Sequence, residues 1–474
     1  MFVQFQQLLL AHIFIGLNNF KGDINNISRK LNEFEEYVTG ELIIDVRFSG
    51  DFVYAEGGGL RRGVLVDKPT ASVKLVLYHL LKDLTGVEKP WGALTGVKPL
   101  NPMTEQLKLG HDRYSSYEEL KKKYAITQPK LDLLWDCANY QAPYLDADPD
   151  TYSLYVHIPF CISRCSYCSF PSDITGEGSG LCDDYLDALK KEIDMVAYLN
   201  AGRRCDTVYI GGGTPSVLSA SQTVRLLDMI SPFTCSACEV TFEGGRCDTL
   251  SYEKYTILKD KGVTRISLNP QTVHDETLKR ILRPTTHAQF LESYEDALRA
   301  GIDDINTDLI IGLSGENRQM YEKSVDEMIL LDPASITLHS LCKKRTSVID
   351  ISETKGNDEI SPFLDSSRLK LNAHGYRPYY LYKQKYAVSS GENTGYCRDD
   401  RVCIYNIRMM GGTQSIYSAG ANSTTKIYYP DIDHFESVYN VKNTDIYIRD
   451  IDEVIQKKLK NLKKAEQIAY EKER

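Results

Sequence analysis

Between residues 153 and 341, short apolar runs alternate with amphipathic stretches. The runs are SLYVHI, TVYIGGG, EVTFEGG, RISLNPQ, DINTDLIIGL and SITLHSL. Between them lie DYLDALKKEIDMVAYL, TVRLLDMI, SYEKYTILKDKG, AQFLESYEDALRAG and MYEKSVDEMILLD, whose apolar residues recur at helical spacing. Parallel strands need crossover helices, so six strand–helix alternations predict a parallel α/β sheet. Six units fall short of the eight that close a full barrel, which predicts an open, partial (β/α)6 barrel.

Ahead of this region the period changes. Residues 40–67 alternate apolar and polar, with Ser49-Gly50 and Gly57-Gly58-Gly59 as turns, and read as a β-meander. The stretch TASVKLVLYHLLKDLTG follows as a helix ending near a glycine. The three glycines lack a following Lys-Ser/Thr and helix, so they read as a hairpin turn and not a phosphate loop. PWGALTGVKP (90–99) is a turn-rich loop carrying one of two tryptophans, either a functional loop or an interdomain packing plug. YLDADPDTY (144–152) reads as a linker. Past residue 345 the alternation weakens into Tyr- and Gly-rich segments, and the last 24 residues read as a helix with a basic middle. The expected organisation is an N-terminal α+β domain with linker (1–150), a barrel core (151–345) and a C-terminal accessory subdomain with a terminal helix (346–474).

The 474 residues suffice for two or three domains with their own cores. A formal charge of −9 argues against a nucleic-acid or anionic-membrane partner. No stretch is long enough to span a bilayer, and the N-terminal apolar run lacks a preceding basic residue and a cleavage site. The expectation is a cytoplasmic protein, where the twelve cysteines stay reduced and available for metal. Cys235 and Cys238 form a lone C-x-x-C and read as ordinary half-buried residues.

Three cysteines stand out. Cys161, Cys165 and Cys168 lie in CISRCSYCSF, spaced by three residues and then two. A structural zinc wants four closed ligands. His157, the available fourth, sits inside an alternating strand, where a half-buried side chain accounts for it. Arg164 within the run favours thiolate and argues against inert thiols. An iron–sulfur cluster fits better; a four-iron cubane normally takes four cysteines, so three leave one iron open for another ligand. The strand ends agree. GGGTP (211–215) closes the second strand with glycines that let backbone approach a ligand. Glu243 ends the third strand, Gln271 the fourth, and Asp308 lies on the fifth, all at or near the rim where barrels place their chemistry.

This C-x₃-C-x₂-C loop after the first strand of an incomplete barrel resembles the radical S-adenosylmethionine (SAM) superfamily. The resemblance implies a radical-SAM barrel holding a 4Fe–4S cluster whose open iron is chelated by the methionine end of SAM. It also implies reductive cleavage of the sulfonium to a 5′-deoxyadenosyl radical. YVHIPFCISRCSYCSF, GGGTP, the Gln-ended strand and INTDLIIGL are similar to the oxygen-independent coproporphyrinogen III dehydrogenase family, strongly over about 150–345 and loosely over 345–430. The N-terminal extension and PWGALTGVKP resemble its longer, low-GC Gram-positive branch.

Carried over by motif, Cys161, Cys165 and Cys168 would hold the cluster. Tyr155 would sit by the methionine end, Tyr167 near the adenine, and Gly212, Gly213 and Thr214 by the amino group. Glu243, Gln271, Arg283 and Asp308 match the family's polar ligands of SAM, of which one or two molecules are implied. Arg283 has an alternative role as a surface ion-pair partner. The implied reaction turns two propionates of a tetrapyrrole, coproporphyrinogen III, into vinyls, with a donor such as flavodoxin or ferredoxin. Lys343, Lys344, Arg345, Arg377 and Lys383 are candidate cations for the propionates. The chain departs from the pattern at Phe170, where dehydrogenases carry a further Cys, and in SLNPQ. A heme-binding chaperone and a heme-modifying methyltransferase stay open as alternatives. The H-N-x-x-Y-W stretch of the chaperones is not found, YNIRMMGG being the nearest.

Overall fold

The computed structural model describes residues 5–9, 13–18, 27, 28, 31, 34, 37, 38, 41–343, 347, 349, 359–384, 387 and 391–473. The chain divides into two compact units. One comprises Met1–Asn139, Thr354–Leu369 and Leu381–Glu392; the other comprises Tyr140–Glu353, Lys370–Tyr380 and Asn393–Arg474.

In the first unit a five-stranded sheet runs β1 (Phe5–Leu9), β2 (Ile13–Asn18), β3 (Leu42–Ser49), β4 (Phe52–Gly57), β5 (Leu60–Leu65) in spatial order. The expected meander is β3–β5, antiparallel throughout, while β2 joins β3 in parallel. Alternation sends Ile44, Val46, Val53 and Ala55 into a core shared with the helix Pro69–Thr85. Proline opens that helix and Gly86 closes it in the left-handed region at φ 71°. Trp91 is buried in a second apolar cluster of this unit, its indole donating to Glu392 at 3.2 Å. The fully buried Lys130 answers Glu392 at 2.5 Å and Asp365 at 2.8 Å. PWGALTGVKP is thus a packing element of its own unit.

The second unit contains the expected sheet. Its parallel centre is β6 (Thr151–Ile158), β9 (Arg204–Gly212), β10 (Glu239–Gly245), β11 (Arg265–Leu268), β12 (Ile305–Ile311) and β13 (Ser335–Ser340), adjacent in that order. The short pair β7 (Phe160–Cys161) and β8 (Asp173–Ile174) lies in the loop after β6. Buried on both faces, the central strands read as near-continuous apolar runs. The crossover helices carry their own start signals: capping boxes at Ser219/Gln222 and Thr286/Gln289 open Ala220–Thr234 and His287–Arg299.

The expected boundary near 345 does not separate two bodies. The sheet continues at one side through β15 (Glu392–Cys397), antiparallel to β13, and then β14 (Arg377–Lys383). At the other side β16 (Ile416–Ala419) pairs in parallel with β6, followed by the antiparallel β17 (Thr424–Tyr429) and β18 (His434–Tyr439). Among the described residues eleven strands form this sheet. The physical reason is edge satisfaction: the backbone groups of β6 that face away from β9 need partners, and β16 supplies them. No helix among the described residues is long and apolar enough to cross a membrane.

One buried carboxylate fastens these late strands to the core. Glu192, on the helix Gly180–Leu199, accepts from Lys458 Nζ at 2.8 Å, Tyr447 at 2.6 Å, Asn440 at 2.9 Å and the Gly420 amide at 2.8 Å. Lys458 comes from the terminal helix Ile451–Glu473 and also donates to the Ser418 carbonyl. Removing one member of such a pair leaves a buried charge unanswered. Lys458→Met is therefore expected to cost roughly 3–5 kcal/mol in urea unfolding. Adding Glu192→Gln should recover part of the loss. A single variant with the parent's midpoint would contradict this.

Candidate functional site

The site begins where β9 runs out. At Gly211 a β-carbon would stand 2.5 Å from Glu243 Oε2; at Gly212 it would meet the His157 ring at 2.3 Å. At Gly213 it would lie 2.5 Å from the Phe160 carbonyl oxygen and 3.1 Å from Cys161 Sγ. Gly212 also has φ 119°, where an L side chain is strained. The three glycines thus admit three neighbours in turn: the carboxylate, the strand before the cysteine loop, and the loop itself.

The loop is held from several sides. Gly213 N–H donates to Ile158 O at 2.8 Å and Thr214 N–H to Phe160 O at 2.7 Å, while Thr175 N–H closes on Cys161 O at 2.9 Å. Thr214 Oγ1 lies 3.3 Å from Cys161 Sγ. The buried Arg246 forks onto Asp248 and donates to Ser163 at 2.7 Å, and Ser166 N–H donates to Ile281 O at 2.9 Å. Cys161 and Cys165 are buried, and Cys168 is half-buried. Burial pushes the Cys168 thiol up, and the neighbouring Cys161 and Cys165 push it further. Arg164 acts in the opposite direction but is outweighed. Among the described residues no three His, Cys, Asp or Glu side chains converge on a single metal ion. Three cysteines in one loop are the donor set of an iron–sulfur cluster with one iron left open to another ligand.

From the glycines a row of polar side chains crosses the sheet. Tyr209 donates to Glu243 Oε1 at 2.5 Å and Gly212 N–H to Glu243 Oε2 at 3.1 Å. A register shift between Glu243 and Gly245 interrupts β10 immediately after the carboxylate. Burial raises Glu243 to about 7, with Asp308 adding to the rise against these two donors. Gln271 follows β11 with φ 68°, a left-handed conformation rare for glutamine. Its backbone is fixed on β12 by Gln271 N–H to Asp308 O and Ile310 N–H to Gln271 O, both 2.9 Å. Among the described residues its buried Oε1 has no partner. Strain and an unanswered polar atom meet at this one residue.

Asp308 is half-buried and stays below the usual carboxylate range. Burial alone would raise it; His339, Asn306 and Thr337 outweigh burial. Asn306 Nδ2 donates to Asp308 Oδ1 at 2.7 Å, and His339 Nε2 lies 3.4 Å from Oδ2.

Arg283 is buried, so the surface ion-pair role does not apply. It donates to the carbonyls of Gly245 and Asn269, at the ends of β10 and β11, and reaches the Tyr167 hydroxyl at 3.4 Å. Its Nε has no partner. Tyr155 lies among rings: Tyr209 and Tyr405 are each 6.2 Å away, and those two stack at 4.6 Å. His157 is buried, with Nδ1 on the Ala421 carbonyl and its pKa lowered chiefly by burial.

Three of the five expected propionate cations lie among the described residues. Arg377 is exposed and donates to the carbonyls of Asn372 and Tyr376. Lys383 is buried in the first unit with its ammonium 4.9 Å over the Trp91 ring. Lys343 is exposed, and Lys344 and Arg345 lie outside the described residues.

Sequence reasoning missed Tyr209, Asn306, His339, Tyr405 and Arg246. The first three were findable. Tyr209 and Gly211, Asn306 and Asp308, and Thr337 and His339 are each two apart on a strand, so each pair faces one side. Tyr405 and Arg246 left no such signal.

An open six-stranded parallel core with a three-cysteine loop after its first strand defines a radical SAM protein, and the radical SAM superfamily matches residues 155–328. The oxygen-independent coproporphyrinogen-III oxidase-like protein HemZ of Bacillus subtilis is 33% identical over 406 residues, covering 82% of this chain and 80% of HemZ. The chain belongs to the oxygen-independent coproporphyrinogen III oxidase family. The heme chaperone HemW of Bacillus subtilis is 30% identical over 277 residues, covering 56% of this chain and 72% of that protein. The structure of coproporphyrinogen III oxidase HemN from Escherichia coli, a radical SAM enzyme, superposes with a TM-score of 0.53 at 22% identity. It covers 67% of this chain and 73% of HemN, and shares the fold. Membership in the superfamily implies a 4Fe–4S cluster and SAM.

The elevated Glu243 makes a prediction for the ligand-free protein. Its carboxyl rises from 4.5 to about 7 on folding. The unfolded chain then releases this proton first, so stability falls as pH climbs from about 4.5 to 7. Glu243→Gln should match the parent at pH 4 and exceed it by up to about 3 kcal/mol at pH 8. Parallel denaturation curves at both pH values read the difference directly.

Proposed function

We propose that this protein oxidatively decarboxylates two propionates of coproporphyrinogen III to vinyl groups, giving protoporphyrinogen IX. Cys161, Cys165 and Cys168 would hold the 4Fe–4S cluster. Tyr155, Tyr167, Gly212, Gly213, Thr214, Glu243, Gln271, Arg283 and Asp308 would form the SAM site. The observation that carries this reading is the row itself: a buried, strained Gln271 with an unanswered Oε1, set between Glu243 and Asp308 beside a three-thiol loop.

When bound, the cluster and SAM together supply one-electron cleavage and hydrogen-atom abstraction; the chain supplies placement. Each round removes a hydrogen atom from a propionate β-carbon and releases CO₂. One further electron passes to an acceptor, and –CH₂–CH₂–COO⁻ becomes –CH=CH₂. Asp308, ionised and held at both oxygens, suits sugar hydroxyls that donate to it. Gln271 offers an acceptor with no competing partner. Glu243, titrating near 7, holds a proton in about half the molecules at neutral pH and exchanges it with whatever Tyr209 and Gly212 leave open. Gln271 is buried and Glu243 and Asp308 are half-buried, which limits the access of water to the row.

Support for decarboxylation over heme holding comes from coverage: HemZ corresponds over 82% of this chain, HemW over 56%. The likeness to HemW sustains heme binding as the second reading.

Anaerobically reconstituted protein, given dithionite, SAM and coproporphyrinogen III, is expected to release CO₂ and 5′-deoxyadenosine and to accumulate a divinyl product. Stable binding of heme with no CO₂ from coproporphyrinogen would overturn the assignment in favour of a chaperone. Cys165→Ala should lose cluster absorbance and all 5′-deoxyadenosine formation.

A further inference from the structure

We propose that His339 is a positioning residue for Asp308: held as an imidazolium between Asp308 and Asn393, it keeps the carboxylate charged and in one orientation toward SAM. The proposal rests on the reading of Asp308 as a ligand of the SAM sugar hydroxyls and adds to it the residue that makes the carboxylate usable.

The geometry leaves His339 little choice. Its Nε2 faces Asp308 Oδ2 at 3.4 Å and its Nδ1 faces Asn393 Oδ1 at 3.2 Å. Both atoms are acceptors, so both ring nitrogens carry hydrogen, and an imidazole with two N–H groups is a cation. The antiparallel ladder of β13 and β15, with Leu338 opposite Thr394, puts Asn393 across from His339. Asp308 sits on the neighbouring strand on the other side.

The second oxygen of Asp308 is fixed just as firmly. Asn306 presents Nδ2 to Asp308 Oδ1 at 2.7 Å. Its own Oδ1 is occupied by the hydroxyls of Ser335 at 2.9 Å and Thr337 at 3.1 Å, so its amide cannot turn over. One donor on each oxygen stops the carboxylate rotating yet leaves lone pairs for a diol. The other titratable groups that Asp308 influences are Glu243 and Tyr209, and the negative charges of the two carboxyls oppose one another. The imidazolium offsets that opposition. Burial works against its charge, and Asp308 and Asn393 overcome burial, so His339 titrates above its ordinary value.

The test is anaerobic calorimetry of SAM binding to the cluster-loaded protein at pH 6.5, 7.5 and 8.5, for the parent, His339→Gln, His339→Phe and Asp308→Asn. Cluster content and melting temperature serve as controls for folding. His339→Phe, with no donor, is expected to bind at least tenfold more weakly at every pH. His339→Gln, a neutral donor of similar reach, should recover part of the loss, and its deficit relative to the parent should shrink toward pH 8.5 as the imidazolium disappears. If Asp308→Asn weakens binding while both His339 variants match the parent, the proposal falls and the reading of Asp308 survives. If Gln and Phe show equal deficits that do not vary with pH, the histidine is mere packing and the proposal falls. If Asp308→Asn binds SAM as the parent does, the reading of Asp308 falls and takes the proposal with it.

Discussion

Three successive Cα positions with no room for a side chain govern this structure. At Gly211, Gly212 and Gly213 a carboxylate, an imidazole and a cysteine loop each come closer to the backbone than any β-carbon would permit. Because the approach is so tight, the end of one strand sets the place of the cysteine loop, of Glu243 and of His157 together. Thr214 and its amide then bond to Cys161 and Phe160, so the loop cannot shift without the strand. A side chain here would displace backbone oxygen and sulfur, which have nowhere to go in a close-packed interior.

Building polar groups into the middle of a parallel sheet is costly, and the sheet offsets much of that cost by pairing them. Asn306 links Ser267, Asp308, Ser335 and Thr337 on three strands; Glu243 is answered by a phenol and an amide. Against that background the partnerless atoms stand out. Gln271 Oε1 and Arg283 Nε are buried at the same strand ends where the backbone is strained. Satisfied networks give this part of the sheet its rigidity.

The parts of this arrangement legible in the sequence were those whose chemistry is local. Cysteine spacing, the glycine strand end and the apolar runs each carry their meaning within a few residues, and they located the loop, the six central strands and Glu243, Gln271 and Asp308. The flanking strands were not legible. ENTGYC and IYSA lack the continuous apolar character of a doubly covered strand, so they read as part of a separate subdomain, yet they pair with β13 and β6. Tyr405 and Arg246 reach the site across 196 and 83 residues of chain. No periodicity reports on contacts formed only by the finished fold.

The pairing of β16 with β6 bears on how the chain is made. The strand that leads into the cysteine loop emerges early, whereas its second neighbour is translated roughly 260 residues later. At ribosomal speeds that interval is on the order of 13–50 s. Throughout it, one side of an apolar β6 is an unclaimed template for strand addition by any passing chain. Nascent protein should therefore depend on holdase capacity, and on prompt sulfide and iron delivery, more than its finished stability would suggest. A premature stop before Ile416 would leave that side permanently bare, and the product would be lost to aggregation even with every cysteine in place.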